Sequence, residues 1–238
     1  MIDVLFEDNH LLAVNKPAGL PTMGVAEDRP SLLAEARAYI KAKYDKPGKV
    51  YLGIVSRLDA PVTGVVLLAR TSKAAGRLCE AFRSRTVGKH YLAIVAGDPE
   101  PSGRLEHHLR KDERHRRVHT TSEKATGAQL AVLDYEVAAR GNGLAALRVT
   151  LQTGRKHQIR VQLAAAGWPI VGDRKYGSDR PLAAGIALHA YRLDIDHPVR
   201  HEPLELSVAP PTSWRGLLGA MKPRLILLGD LPCGVDNC

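Results

Sequence analysis

The sequence has few cysteines and no long hydrophobic segment, and these absences exclude several classes of protein. Its three cysteines, Cys79, Cys233 and Cys238, form neither a disulfide framework nor a zinc quartet. No apolar run approaches the roughly 20 residues that span a bilayer, and the acidic N-terminus does not have the basic start of a signal peptide. We therefore expect a cytoplasmic protein with reduced thiols and no membrane partner.

Glycine-rich phosphate loops are also missing from the sequence. Neither Gly-x-x-x-x-Gly-Lys-Ser/Thr nor Gly-x-Gly-x-x-Gly occurs, which argues against nucleotide hydrolases and dinucleotide-dependent dehydrogenases. His107, His108, His115 and His119 do not have the spacing of a zinc finger or a metalloprotease. Cys233 and Cys238 are too few to indicate a metal site, so we predict no metal.

What the sequence does have is an excess of positive charge. Its 34 Lys and Arg residues outnumber 25 Asp and Glu residues, for a formal net charge of +9. This balance favours a polyanionic partner. The segment from Arg104 to Lys124 is especially rich in Arg, and we interpret it either as a contact to an RNA backbone or as a solvated surface strand.

The pattern of hydrophobic residues predicts hairpins that alternate with a few helices. Ile2 to Phe6 and Leu11 to Asn15 flank a polar turn, while helices are predicted after Ser31 and from Ser72. Further strands are predicted at residues 91–95, 129–137, 144–152, 187–195 and 204–208. Because these elements are not regular strand-helix repeats, they indicate an α+β fold with a largely antiparallel sheet. With no linker or internal repeat, residues 1–238 are predicted to form one domain.

One acid stands in an unusual local setting. Asp59 lies in the segment Ser56–Gly64, where a Pro, a Thr and a Gly predict a bent backbone, and the apolar run Val65–Ala69 predicts a buried strand behind it. Spacing alone is weak evidence, because most Arg-x-Asp pairs are surface ion pairs.

Further motifs along the chain connect the Asp59 segment to a known family. The chain carries Arg57-Leu58-Asp59, then Lys89-His90-Tyr91, then Thr153-Gly154-Arg155-Lys156-His157-Gln158-Ile159-Arg160-Val161, and finally Gly172-Asp173-Arg174-Lys175-Tyr176-Gly177. In this order the motifs resemble those of the RluA family of pseudouridine synthases. Similarity extends from Asn15-Lys16-Pro17 near the start to Leu188-His189-Ala190 and His197-Pro198 near the end, so it covers nearly the whole chain.

The resemblance implies a fold, a reaction and a set of roles. It implies a single catalytic domain with a mixed, largely antiparallel sheet flanked by helices and a central RNA-binding cleft. It further implies that a uridine in RNA is converted to its C-glycoside isomer without a cofactor. By residue match, Asp59 is the catalytic acid, Tyr91 packs on the target base and Arg160 pairs with the acid. Arg57 helps to expel the target nucleotide, and Leu188 lines the pocket wall.

Several other residues follow from these motifs. Ile159, Leu163 and Ala166 share the predicted core-facing side of a helix, whereas His157 and Arg160 share another side. We expect Arg160 to keep Asp59 charged, with Arg155 as the second candidate for that role. His157, Arg155 and Lys16 are predicted to contact the substrate RNA, and Arg174 and Lys175 are further phosphate candidates.

Two departures from the family pattern leave alternatives open. Ser56 stands where the family usually has His, and Val62 stands where it usually has Thr. A protein that keeps the RNA-binding cleft without turnover is therefore an alternative. A glycosidic hydrolase would need a second carboxylate, and the only nearby candidate, Asp173, is interpreted as a turn former. Neither the choice between rRNA and tRNA nor the target uridine can be read from the sequence, and no separate RNA-binding module precedes the motifs. A self-contained domain favours a monomer.

Overall fold

The computed structural model describes residues 2–24, 26 and 29–223. Its helices are α1 (Leu32–Lys43), α2 (Ser72–Ser84), α3 (Gln158–Ala165) and α4 (Arg215–Gly219), with 3-10 turns at Arg174–Tyr176 and Thr212–Trp214. Its strands are β1 (Asp3–Glu7), β2 (Leu11–Lys16), β3 (Gly53–Ile54), β4 (Thr63–Ala69), β5 (Gly88–Ala96), β6 (Ser102–Asp112), β7 (Arg117–Thr121), β8 (Gln129–Gly141), β9 (Leu144–Leu151), β10 (Leu188–Asp196), β11 (Pro203–Ser207) and β12 (Lys222–Pro223). Cys233 and Cys238 lie outside the described residues.

The chain forms two compact units. The first comprises Met1–Gly88 and Ala190–Pro210, and the second comprises Lys89–His189 with the described residues after Pro210. Each unit has a hydrophobic core of its own. The organisation of residues 1–238 as one domain stays a prediction.

In the first unit, two helices cover opposite faces of the central strands. The sheet runs β1-β2-β4-β10, with β3 paired to β4 and β11 to β10. Leu11 and Leu67 pack in one core with α2, whereas Leu12 and Leu68 pack in another with α1. Because side chains alternate between the faces of a strand, one apolar run serves two cores. All seven residues of β4 are buried, which confirms the predicted strand.

Both helices of the first unit begin at a capping hydroxyl. Ser31 Oγ accepts a hydrogen bond from Ala34 N–H at 3.3 Å, as its position before α1 predicts. Helix α2 begins at Ser72 as predicted, but the capping oxygen belongs to Thr71, which accepts from Ala74 N–H at 3.2 Å. The cap of α2 is therefore the residue directly before Ser72.

Two glycines allow a neighbouring group to approach the backbone closely. Gly64, near the start of β4, has φ of +112°, and a Cβ there would collide with the carbonyl oxygen of Ala190. In the second unit, a Cβ on Gly103 would lie 2.8 Å from Tyr135 Oη. Any other residue would push these neighbours apart.

In the second unit, helix α3 packs on an antiparallel sheet. The strand order is β5-β9-β8-β6-β7, with β12 paired to β8. Val161 of α3 packs with Leu109, Val118 and Ala131 of the sheet. The Arg-rich segment after Arg104 forms the β6–β7 hairpin, paired from His108↔Thr121 to Asp112↔Arg117. The segment therefore forms strands, and the choice between an RNA contact and a solvated surface stays open.

These observations confirm the predicted α+β class. Every strand pairing that the structure resolves into a register is antiparallel. Of the helices in the described ranges, none combines the length and apolar character needed to cross a membrane.

Candidate active site

Asp59 lies on a loop of the first unit, directly before β4. Its carbonyl oxygen accepts from Val62 N–H at 3.0 Å, which closes the predicted turn. At the start of the loop, Ser56 Oγ accepts from Leu67 N–H at 2.9 Å and so fixes the loop to β4. Val62 is buried, with 2% of its surface exposed. Ser56 and Val62 are the two departures from the family pattern. Both help to hold this loop in place, Ser56 by a hydrogen bond and Val62 by its burial.

A second segment of the first unit holds the loop on both sides of Asp59. Thr22 Oγ1 donates to Leu58 O at 2.9 Å and accepts from Leu58 N–H at 3.2 Å. Gly19 N–H donates to Ala60 O at 2.8 Å. The residues before and after Asp59 are therefore tied to the same neighbouring segment.

Lys16 is the most deeply buried contact of this loop, with none of its surface exposed. Its ammonium donates to Pro17 O at 2.9 Å, Leu20 O at 2.8 Å and Ala60 O at 3.0 Å. An ammonium has three protons, so each has an acceptor. Burial lowers the pKa of Lys16 to about 8, although the charge of Asp59 acts in the opposite direction.

This geometry corrects the prediction that Lys16 contacts RNA. A buried ammonium whose protons are all given to backbone carbonyls has no donor left for a phosphate. Lys16 is instead a positioning residue for the Asp59 loop. Arg57, which precedes the loop's acid by two residues, is exposed and remains accessible to a ligand.

In the second unit, Arg160 forms a buried ion pair with Asp173. Arg160 Nε donates to Asp173 Oδ2 at 2.6 Å and Nη2 donates to Oδ1 at 2.9 Å. Arg160 is 5% exposed and Asp173 is 1% exposed. Such bidentate pairs fix the orientation of the guanidinium plane. Arg160 is therefore buried rather than solvated, and Asp173, which was interpreted as a turn former, also holds its guanidinium. The pairing of Arg160 with Asp59 stays a prediction.

The Thr153–Gln158 segment is closed by a side chain that the sequence reasoning missed. Gln158 Oε1 accepts from Thr153 Oγ1 at 2.8 Å and from Arg155 N–H at 2.9 Å. Gln158 Nε2 donates to Val132 O at 3.0 Å. Its position directly after His157 in the motif is the signal that could have identified it.

His157 and Tyr176 connect α3 to β7. His157 precedes the helix in the left-handed conformation, with φ of +54°, which is uncommon for a residue other than glycine. His157 Nδ1 lies 2.7 Å from Tyr176 Oη, and Val118 N–H donates to the same oxygen at 3.1 Å. The guanidinium carbon of Arg160 lies 5.0 Å from the centre of the Tyr176 ring. Tyr176 is thus a second residue that sequence reasoning missed.

Tyr91 lies on the sheet face that α3 covers. It pairs with Val149 on β9, which in turn pairs with Tyr135 on β8. Tyr135 and Ala131 share one face of β8 because they are four residues apart, and Ala131 packs against α3. Tyr91 is half-buried at this face.

The remaining predicted residues are anchored to the backbone or buried. Leu188 begins β10 and is 3% exposed, which suits a pocket wall. Arg155 Nε donates to Leu130 O at 3.0 Å, so part of its guanidinium holds the start of β8. Within the described ranges, no group of three or more His, Cys, Asp or Glu side chains could hold a metal ion.

Comparisons with known proteins find similarity to RNA pseudouridine synthases. A family model described as RNA pseudouridylate synthase matches residues 10–165. Ribosomal large subunit pseudouridine synthase D of Xylella fastidiosa is 34% identical, over 93% of this chain and 70% of that protein. An uncharacterised RNA pseudouridine synthase of Bacillus subtilis is 33% identical, over 91% of this chain and 71% of that protein. The solved structure of human RNA pseudouridylate synthase domain containing 4 is similar with a TM-score of 0.76 and 26% identity, over 92% of this chain and 94% of that one.

Proposed function

The chain belongs to the RNA pseudouridylate synthase family, and from that membership we propose that it converts specific uridines of ribosomal RNA to pseudouridine through Asp59. That it is an RNA pseudouridine synthase, an isomerase with an RNA substrate, follows from the family. The choice of ribosomal RNA is supported by the names of several relatives at 32 to 34% identity. Transfer RNA is the second target to be tested. A cytoplasmic location and a monomeric state complete the proposal.

The reaction rearranges one nucleotide without adding or removing atoms. The bond from N1 of uracil to C1′ of the ribose breaks, the base rotates, and a bond from C5 to C1′ forms. C5 then loses its proton and N1 gains one. An ionised carboxylate can start this sequence either by attack on C1′ or by removal of a proton from C2′. No oxidant or energy source is required by this balance.

The observation that carries the proposal is the fixation of the Asp59 loop. Catalytic groups act through accurate placement, and small displacements are costly in rate. Lys16 and Thr22 bond to the backbone of Ala60 and Leu58, on either side of Asp59, and Ser56 ties the start of the loop to Leu67 of β4. A surface Asp in an ordinary turn would not need a fully buried lysine beneath it.

The target nucleotide has to leave its helical stack before it can react. This flipping costs a few kcal/mol, and stacking on an aromatic ring returns roughly 1 to 3 kcal/mol per base. We assign the stacking role to Tyr91 and the expulsion of the nucleotide to the exposed Arg57. Leu188 is assigned to the apolar wall around the base.

Arg160 is assigned to the electrostatic support of the reacting groups. Its guanidinium is held by Asp173 and by the ring of Tyr176, so its orientation is fixed before substrate binds. Arg155 and His157 lie next to it at the start of α3 and are assigned to the substrate RNA. A charge beside an acid favours the ionised acid, which is the form that the reaction needs.

A pseudouridine map tests this function. RNA is sequenced for pseudouridine from cells with the gene, without it, and rescued with wild type, Asp59→Asn or Asp45→Asn, where Asp45 is an exposed acid of the same unit. We expect sites in ribosomal RNA to vanish on deletion and to return with wild type and Asp45→Asn only. Rescue by Asp59→Asn would refute the role of Asp59, and sites confined to transfer RNA would refute the proposed target. A map unchanged by deletion would favour the non-catalytic RNA-binding alternative.

A further inference from the structure

The loop between β9 and α3 is closed by a pair of buried side chains. Thr153 and Gln158, at the two ends of this loop, are 4% and 3% exposed, and Thr153 Oγ1 donates to Gln158 Oε1 at 2.8 Å. This pair is called the clasp. Between its members lie residues 154–157, which include Arg155 and His157, the two residues assigned to the substrate RNA. The clasp therefore joins both ends of the segment that carries them.

Backbone groups fix the orientation of the Gln158 amide. Its Oε1 also accepts from Arg155 N–H at 2.9 Å, and its Nε2 donates to Val132 O at 3.0 Å. A backbone N–H can only donate and a carbonyl can only accept, so the amide cannot turn over without losing both bonds. Val132 N–H in turn donates to Thr153 Oγ1 at 2.8 Å. One residue of β8 thus anchors both members of the clasp.

The clasp adjoins a backbone in an unfavourable conformation. His157 has φ of +54°, in the left-handed region, and a residue other than glycine keeps such a conformation only where its surroundings enforce it. Gln158 follows directly, and its N–H donates to Arg155 O at 3.2 Å. Arg155 is therefore bonded to Gln158 through both its N–H and its carbonyl. Loss of the clasp would allow His157 to return to an ordinary φ, which would redirect the whole segment.

The side chain of Arg155 depends on the same strand. Its Nε donates to Leu130 O at 3.0 Å, and Leu130 lies on β8 two residues before Val132. Hydrogen bonds weaken steeply as their distance and angle depart from the optimum. A displacement of the segment would therefore release the guanidinium of Arg155 as well as its backbone.

A second glutamine of α3 offers a comparison. Gln162 lies one turn after Gln158 and is fully buried. Its Nε2 donates to Leu105 O of β6 at 2.9 Å and to Ala131 O of β8 at 3.1 Å. Each of these bonds leads from the helix to the sheet. Gln162 thus serves the docking of α3 on the sheet, a role that Gln158 combines with closure of the loop.

We propose that Thr153 and Gln158 are positioning residues for RNA binding, because the clasp keeps Arg155 and His157 in the orientation in which they meet the substrate. The proposal rests on the proposed function, since it takes RNA as the ligand of these two residues. It adds a specific contribution of the clasp, which is to fix the loop before RNA arrives. A loop that is already ordered loses less conformational entropy on binding.

The kinetic signature of this role is a rise in KM. Arg160, which is assigned to the reacting groups, is held separately by its ion pair with Asp173. The chemical step should therefore depend on the clasp less than binding does. Loss of an interaction that acts equally on bound substrate and transition state raises KM and leaves kcat unchanged.

The test compares Gln158→Met with the matched control Gln162→Met. Each variant removes an amide that donates from α3 to the sheet, so both should unfold at lower urea concentrations than wild type. KM and kcat are measured with a transcript that contains a site from the pseudouridine map and carries tritium at C5 of uracil, which the reaction releases. We expect KM to rise about tenfold in Gln158→Met, with kcat within about twofold of wild type. In Gln162→Met, KM should also stay within about twofold of wild type.

Thr153 provides a conservative rescue. Thr153→Ser keeps the hydroxyl, so KM should stay near that of wild type. Thr153→Val has a similar shape but removes the hydroxyl from both Val132 N–H and Gln158 Oε1, so KM should rise as in Gln158→Met. If Gln158→Met does not fold, this pair of variants decides the proposal.

A second measurement follows the loop without RNA. Lys156 is exposed and Arg155 is half-buried, so trypsin can cut the segment once it opens locally. Mass spectrometry should show faster cutting after Arg155 or Lys156 in Gln158→Met than in wild type or Gln162→Met.

Three results would overturn the proposal. Equal rises of KM in Gln158→Met and Gln162→Met would show that docking of the helix explains the effect. An unchanged KM in Gln158→Met, or a loss confined to kcat, would show that the clasp does not serve binding. If wild type forms no pseudouridine in any RNA, the proposed function is wrong instead, and the trypsin cuts still decide whether the clasp holds the loop.

Discussion

The loop that carries Asp59 and the helix that carries Arg160 are held by different kinds of contact. Around Asp59, the side chains of Lys16 and Thr22 bond to backbone carbonyl and amide groups. Around Arg160, side chains bond to one another, above all in the ion pair with Asp173. A backbone acceptor exists whatever residue occupies the position, whereas an ion pair requires both partners.

This difference predicts different sensitivities to substitution. In the Asp59 loop, the donors matter more than the residues whose carbonyls they reach. At Arg160, replacement of either partner leaves the other with less compensation in a buried setting. Three substitutions test the contrast, in order of decreasing effect on the free energy of unfolding or on turnover.

The largest effect is expected from Asp173→Asn. Loss of the charged acceptor leaves the buried Arg160 without its bidentate partner, and we expect the free energy of unfolding to fall by about 3 kcal/mol. Urea unfolding measures it. The matched control is Asp134→Asn, whose partner Arg104 is 3.9 Å away at the exposed surface, where about 1 kcal/mol or less is expected. A loss as small as the control's would remove the contrast between the two regions.

An intermediate effect is expected from Lys16→Met, and it concerns turnover. Loss of the ammonium frees the carbonyl of Ala60 and with it the Asp59 loop, so kcat should fall about tenfold, or about 1.4 kcal/mol. Lys41→Met, at an exposed position on α1, should leave kcat unchanged. Normal kcat in Lys16→Met would show that the loop does not need this donor.

The same lysine predicts a pH dependence. The pKa of Lys16 is lowered to about 8, so its ammonium is fully charged at pH values below this and is lost as the pH rises through it. Between pH 8 and the ordinary pKa range of lysine, the folded protein no longer carries a buried charge, so the free energy of unfolding should rise. Over the same range the Asp59 loop loses a hydrogen-bond donor, so turnover should fall. We expect kcat of wild type to fall above pH 8. Lys16→Met should not show this step.

The smallest effect is expected from Tyr176→Phe. The ring that contacts Arg117 and Arg160 remains, but Val118 N–H and His157 lose their partner, at a cost of about 1 kcal/mol in the free energy of unfolding. Tyr51→Phe, at a position that is 51% exposed, is the control, with a change expected within about 0.5 kcal/mol. A cost above that of Asp173→Asn would reverse the ranking and place the phenol hydroxyl at the centre of this region.

Much of the first unit was predictable because its signals are local. The apolar runs of β2 and β4 and the capping Ser31 depend on neighbours within a few residues. The turn at Asp59 was equally visible from its Pro and Gly. Strand β6 was harder to predict, because exposed charged residues such as Arg104 and Arg110 alternate with few large apolar ones.

The contacts that hold the site were not predictable in the same way. Lysine is rarely fully buried, so Lys16 was interpreted as a contact to the substrate RNA, and its partner Ala60 is 44 residues away in the chain. Asp173 lies 13 residues after Arg160, beyond a turn whose geometry the sequence does not give. Family resemblance could identify these positions as motif members, but not which atoms they contact.

The pairing of β2 with β4 has a consequence for folding. Because both strands are apolar on both faces, a slip of one residue would still place apolar side chains in both cores, and the hydrophobic pattern would not penalise it. The end of the pair does penalise it. Lys16 lies opposite Gly64, and only in this alignment does the missing Cβ face Ala190 O while the ammonium meets its three carbonyls. A misaligned sheet would therefore fail to assemble the acid's loop, which makes correct alignment a condition for activity as well as for stability.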